Sequence, residues 1–141
     1  MKDLYNNIEV VSVLDPIAVT ATATYADIDL AGFNSALLVL NCGLEAGGSG
    51  LKAANNIVFT LYDSADGDTY ALVETDDMLN LTVTNGVVLT IDAVGEDNSI
   101  YKLGYVGGKR YLELVMTVTG TVSMPLSIEC IKGHPENAPV A

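Results

Sequence analysis

The dominant hydrophobic period along this chain is two. In "VSMPLSIEC", Val122, Met124, Leu126, Ile128 and Cys130 alternate with Ser123, Pro125, Ser127 and Glu129. In "RYLELVMTV", Leu112, Leu114, Met116 and Val118 alternate with Tyr111, Glu113, Val115 and Thr117. Successive side chains of a strand point to opposite faces, so each run predicts a half-buried strand. Thr119-Gly120-Thr121 lies between them and predicts a tight hairpin turn. Pro125 has no N–H to give to a ladder, so its strand is expected at a sheet edge or with a bulge.

Earlier segments follow the same rule. "IAVTATATY" alternates Thr20, Thr22 and Thr24 with Val19, Ala21, Ala23 and Tyr25, and "NIVFTLYD" sets Ile57, Phe59 and Leu61 on one side. "SALLVLNC" is apolar throughout, as in a strand covered on both faces. With "GVVLTIDA" and "IYKLGYV" the set comes to about eight to ten short strands, punctuated by Gly, Asn and Asp. The best helical candidate, "GLKAANN", is too short to stand alone.

These elements predict an all-β chain, a single-domain antiparallel β-sandwich or β-barrel over residues 1–141. Residues 1–7 are expected as an N-terminal arm and 133–141 as an extended C-terminal tail, where Pro135 and Pro139 hold their neighbours extended. "EAGGSGLKAANN", residues 45 to 56, reads as a flexible surface loop, either a contact arm or slack.

Charge narrows the partners. The net charge is −12, from six Lys and Arg against eighteen Asp and Glu, and nine of those acids fall between Asp63 and Asp97 without a single cation. Nucleic acid and anionic membrane surfaces both demand a basic face, so neither is expected as a partner. The acidic stretch reads as a solvated rim. Apolar runs fall short of the roughly 18 residues that cross a bilayer. The opening "MKDLYNNIEV" has no apolar h-region, so a product made and kept in the cytoplasm is expected rather than a secreted one. Cys42 and Cys130 sit in apolar runs and are expected as buried, reduced thiols; a bridge would need neighbouring strands.

Candidate chemistry is sparse. His134, the one histidine, falls in the polar tail "GHPENAPVA" and is expected to be solvated, not catalytic. Zinc needs several Cys or His ligands, and their spacing here forms no site. In "DSADGDTY", Asp63, Asp66 and Asp68 resemble a calcium loop, but with Gly67 in register the first and last ligand positions fall on Tyr62 and Val73. A hairpin turn accounts for the same residues; a weak cation site is the alternative. Carboxylate pairs of the glycosidase kind are formally available, but there is no Trp and only two Phe to build a substrate platform. An enzyme, a cofactor and a metal are not expected.

The cations themselves are gathered. Lys102, Lys109 and Arg110 fall within nine residues, among Tyr101, Tyr105 and Tyr111, around the double glycine of "GYVGGKRYLELVMTVTG". Arg and Tyr are enriched at protein interfaces. Tyr105, Lys109, Arg110 and Tyr111, with Pro135 and Pro139 of the tail, are the interface candidates. Either the cations receive carboxylates from a second copy, or they balance acids of their own hairpin.

That segment, followed by an alternating strand and "GHPENAPV", resembles a group of small proteins from the head-gene regions of tailed bacteriophages and prophages. So does "IEVVSVLDPIAVTATATYADIDLAGFNSALLVLNCG" ahead of "FTLYDSADGDTY". The resemblance implies a capsid decoration or cement protein on the exterior of the virion head, often trimeric, bound to the major capsid protein, with no catalytic residue. A carbohydrate- or receptor-binding β-module on a virion, or a head–tail or tail structural protein, stands as the alternative.

Overall fold

The computed structural model describes residues 3–140. It contains β1 (Ile8–Val19), β2 (Ala23–Asp29), β3 (Phe33–Cys42), β4 (Asn56–Ser64), β5 (Ala71–Leu72), β6 (Val87–Ile91), β7 (Ile100–Tyr105), β8 (Tyr111–Thr119) and β9 (Met124–Pro135). Two 3-10 turns, Tyr5–Asn7 and Thr75–Asp77, are its helical elements among the described residues. The strands form two antiparallel sheets packed as a β-sandwich. The first has the order β1-β9-β3-β7; the second runs β2-β8-β4, with β5 and β6 both paired to the far side of β4.

The period-two runs deliver the core. Leu38 and Leu40 of β3, Ile57, Phe59 and Leu61 of β4, Leu112 and Leu114 of β8, and Ile128 of β9 are fully buried between the sheets. At about 25 cal/mol per Å² of apolar surface, each such side chain contributes roughly 1.5–3 kcal/mol. Conformational entropy offsets most of that sum.

Local patterns misassigned several connections. β8 and β9 are not a hairpin: β8 pairs with β2 and β4, and β9 with β1 and β3. Gly120–Ser123 therefore crosses from one sheet to the other, so both apolar faces meet the same core from opposite sides. Gly120 takes φ +72° there, and a Cβ on it would meet Ala54 O at 2.1 Å. "IAVTATATY" likewise splits at Thr20–Thr22 into the end of β1 and the start of β2, in different sheets. β9, expected at an edge because of Pro125, is an interior strand. Pro125 is tolerated as its second residue, and it contacts the site a Gly43 side chain would fill. The bulges fall on β1 instead, between Ser12 and Leu14 and between Leu14 and Ile17.

β3, expected to be covered on both faces, alternates buried with half-buried positions, leaving Leu37 and Val39 on an outer face. The 45–56 loop is not slack. Leu51 and Asn55 are buried; Asn55 Oδ1 accepts from Thr121 N at 3.1 Å, and Glu45 Oε1 accepts from Ser123 N at 3.0 Å. The hairpin expected at 63–70 is present, with Tyr62 opposite Leu72 and Asp63 opposite Ala71. β9 continues to Pro135, which lies opposite Phe33, so the expected tail from 133 begins only at Glu136. Val140 N then donates to Asn6 O at 2.9 Å, which ties tail to arm. Met1, Lys2 and Ala141, the outermost residues of that arm and tail, lie outside the described residues.

Candidate interaction surface

The double glycine turns a corner between sheets. β7 ends at Tyr105 in the first sheet and β8 begins at Tyr111 in the second, so the segment is not the hairpin its sequence implied. Gly108 takes φ +74°. Gly107 is required for space: a Cβ there would lie 2.6 Å from Asp77 Oδ1 and 2.7 Å from Tyr105 Oη.

Tyr105, an expected interface residue, is instead core, at 2% exposure. Its hydroxyl donates to Asp63 Oδ2 of the other sheet at 2.7 Å and accepts from Lys109 N at 3.1 Å. Burial, and then the Asp63 carboxylate, push the Tyr105 phenol well above its usual range. The residue therefore remains a donor.

Arg110 is exposed but occupied. Its Nε and Nη2 donate to Asp29 Oδ1 and Oδ2 at 2.9 and 2.8 Å, and its guanidinium carbon stands 4.8 Å from the Tyr111 ring centroid. This fork holds the Asp29 carboxyl down to about 2. Lys132 extends the network from the inner face of β9: it pairs with Glu9, donates to Asp29 O at 3.2 Å and lies 5.2 Å from the Phe33 centroid. Arg110 thus balances a local acid, one of the two readings its sequence allowed. Lys109 and Lys102 are exposed and pair with no carboxylate among the described residues. Tyr111 is half-buried beside Gly67, Pro135 closes β9, and Pro139 is exposed near the chain end.

Sequence reasoning missed the outer face of the first sheet. Register aligns Val10, Ile131, Leu37 and Gly104 in one row across its four strands, with Ile8, Gly133 and Ser35 in the next. Leu79 covers Gly104, and Leu4 and Val106 close the ends. The result is an open groove of about 530 Å³. Leu4 and Leu79 on it are 67% and 57% exposed, and Val10, beside it in the same row, is 55% exposed, so this apolar surface faces water. A signal was present: the two-sided apolar character of "SALLVLNC". A second cleft, of about 340 Å³, adjoins the groove through Ser35, Tyr105 and Val106 and reaches Lys109.

The acids of 63–97 do more than solvate a rim. Asp66 Oδ1 accepts from Asp68 N, Thr69 N and Ser64 Oγ at 3.0, 2.9 and 2.8 Å, and the two N–H bonds lead in holding its carboxyl down to about 2. Asp77 and Glu96 accept backbone N–H groups in their own turns, and Asp97 one from the 45–56 loop. Among the described residues no three His, Cys, Asp or Glu gather as a metal set. His134 is exposed with φ +52°, its Nδ1 2.7 Å from Ser35 Oγ. It belongs to β9, not to a free tail.

Cys42 and Cys130 are buried and free, and burial raises both thiols to about 11. Their strands are neighbours, but Cys42 lies opposite Leu126 and Cys130 opposite Leu38. Four residues of strand, about 13 Å, separate them, which rules out a bridge.

No family model and no curated protein matches this chain. Among solved structures, it is similar to one from the Bacillus endospore appendages, a family of disulfide-linked pili, with 13% identity, 96% of both chains covered and TM-score 0.44. It is also similar to the K1 cleaved adhesin domain of Lys-gingipain from Porphyromonas gingivalis W83, with 10% identity, 89% and 73% covered and TM-score 0.38. A third is from infectious bursal disease virus Gx strain, with 15% identity, 94% and 33% covered and TM-score 0.37. Likeness at this level carries no functional argument.

Proposed function

We propose that this chain is a structural β-module of a tailed-phage virion, a decoration or cement protein. It works as a homo-oligomer on the outer surface of the head and stabilises the shell by contacts with the major capsid protein. The observation that carries this reading is the apolar band across the outer face of the first sheet. A contiguous apolar surface of that kind suits a contact site, because burying it releases free energy for adhesion. The sequence resemblance supplies the setting, and the acidic character suits a site outside the packaged nucleic acid. The proposed role is structural: the polar groups the corner brings together satisfy one another, Tyr105 with Asp63 across the two sheets and Arg110 with Asp29 within the second.

Mixing the purified protein with undecorated heads and imaging them tests the proposal. Ordered density on the outer lattice is the expected result; bare heads at saturating protein reject it.

A glycan-binding module is the second reading. It rests on the crevice of about 380 Å³ where β1 and β2 part, lined by Tyr25, Asp27 and Asp29. An array of glycans silent throughout removes it.

A further inference from the structure

We infer that the apolar outer face of the first sheet is covered by a second copy of this chain, the two sheets stacking face to face about a two-fold axis along the strands. This rests on the decoration reading only for its setting. The contact itself is argued from register.

Strand order β1-β9-β3-β7 places β9 and β3 in the middle, so such an axis lays β7 of one copy over β1 of its partner and β3 over β9. The central rows are apolar, and Leu37 of one copy then meets Ile131 and Val10 of the other. The next row reads Ser12, Glu129, Val39, Lys102 from β1 to β7. Asp15 joins its acidic end, held by Ser12 Oγ at 2.6 Å. One end of this row is negative and the other positive, so the two-fold brings Lys102 over Asp15 twice. Lys102 and Lys109 have no carboxylate partner in their own chain among the described residues, in a protein of net charge −12. A second copy supplies an acid to Lys102.

The size is adequate. Four strands at about 4.8 Å and eight residues at about 3.3 Å span roughly 500 Å² in projection. Accessible area exceeds projection and approaches the roughly 800 Å² per partner of standard interfaces.

Sedimentation velocity of the purified chain over micromolar to millimolar concentration tests the contact. The wild type is expected as a dimer or an even-numbered assembly. Val10→Glu with Leu79→Glu, both at exposed positions that the fold tolerates, is expected to give a monomer with unchanged far-ultraviolet circular dichroism. Val94→Glu, in the β6–β7 loop and 88% exposed, is expected to change nothing. Lys102→Glu is expected to weaken association about tenfold or more, and adding Asp15→Lys to restore it. A wild-type monomer throughout, a trimer, or a dimer untouched by Val10→Glu with Leu79→Glu overturns the inference. Head binding is scored in parallel. A monomer that decorates heads and loses them on Val10→Glu assigns the groove to the capsid and leaves the decoration reading standing. A dimer that ignores heads does the reverse.

Discussion

Two polar links meet at the same corner: Tyr105–Asp63 joins the two sheets, whereas Arg110–Asp29 clasps the start of β8 to the end of β2 within the second sheet. Tyr105 reaches Asp63 at 2.7 Å; Arg110 reaches Asp29 at 2.8 and 2.9 Å. Water separates them. Tyr105 and Asp63 are 2% and 7% exposed, whereas both side chains of the Arg110 pair stand more than two-fifths open. A buried acceptor that loses its donor keeps its full desolvation cost, but an exposed ion pair is replaced by solvent at little loss. The buried link therefore fixes how the sheets sit, and the exposed one mainly orders the corner's surface.

The largest effect should come from Tyr105→Ala, which adds a cavity to the broken link. A loss of about 3–5 kcal/mol is expected in denaturant unfolding. Tyr105→Phe isolates the hydroxyl and should cost about 1–3 kcal/mol, because Asp63 stays buried without its donor. Combining it with Asp63→Leu should recover part of that loss, since both partners then become apolar; a double variant no more stable than Tyr105→Phe would remove the assigned coupling. Gly107→Ala is expected to cost about 1–3 kcal/mol by crowding Asp77 and the immobile Tyr105 hydroxyl.

Smaller still is the exposed link, and its signature is pH. The folded Asp29 carboxyl sits at about 2, below the roughly 3.9 of an unfolded chain. Its contribution is therefore full above about pH 4 and is lost as pH falls through 2. Asp29→Asn should flatten the acid limb of a stability–pH curve over that window by lowering stability above about pH 4, by less than Tyr105→Phe because the pair is solvent-exposed, and leaving stability near pH 2 unchanged. Arg110→Ala is expected to have the least effect on unfolding at neutral pH; a loss as large as that of Tyr105→Phe would erase the contrast between the links.

Much of the sandwich was legible because a strand writes its burial into alternate residues. Ile57, Phe59 and Leu61 were assigned to one face, and all three are fully buried. The turn at 63–70 was legible too, since Asp66 carries its own acceptor for the turn's N–H groups. Tyr105 was misread because aromatic residues mark cores and interfaces alike; what buried it was Asp63, 42 residues away. The apolar groove escaped because its row gathers Val10, Leu37, Gly104 and Ile131 from four strands, none of them adjacent in sequence.

Alternation by itself determined that this chain makes strands, which residues of most of them face inward, and where several turns fall, because side-chain direction and turn dihedrals are local properties. Only the tertiary structure decided which strand pairs with which. It sent β8 and β9 to opposite sheets, made β9 interior and assembled the groove. Pairing is a choice among distant segments with equally good ladders, and it is settled by which arrangement closes one core around all of them.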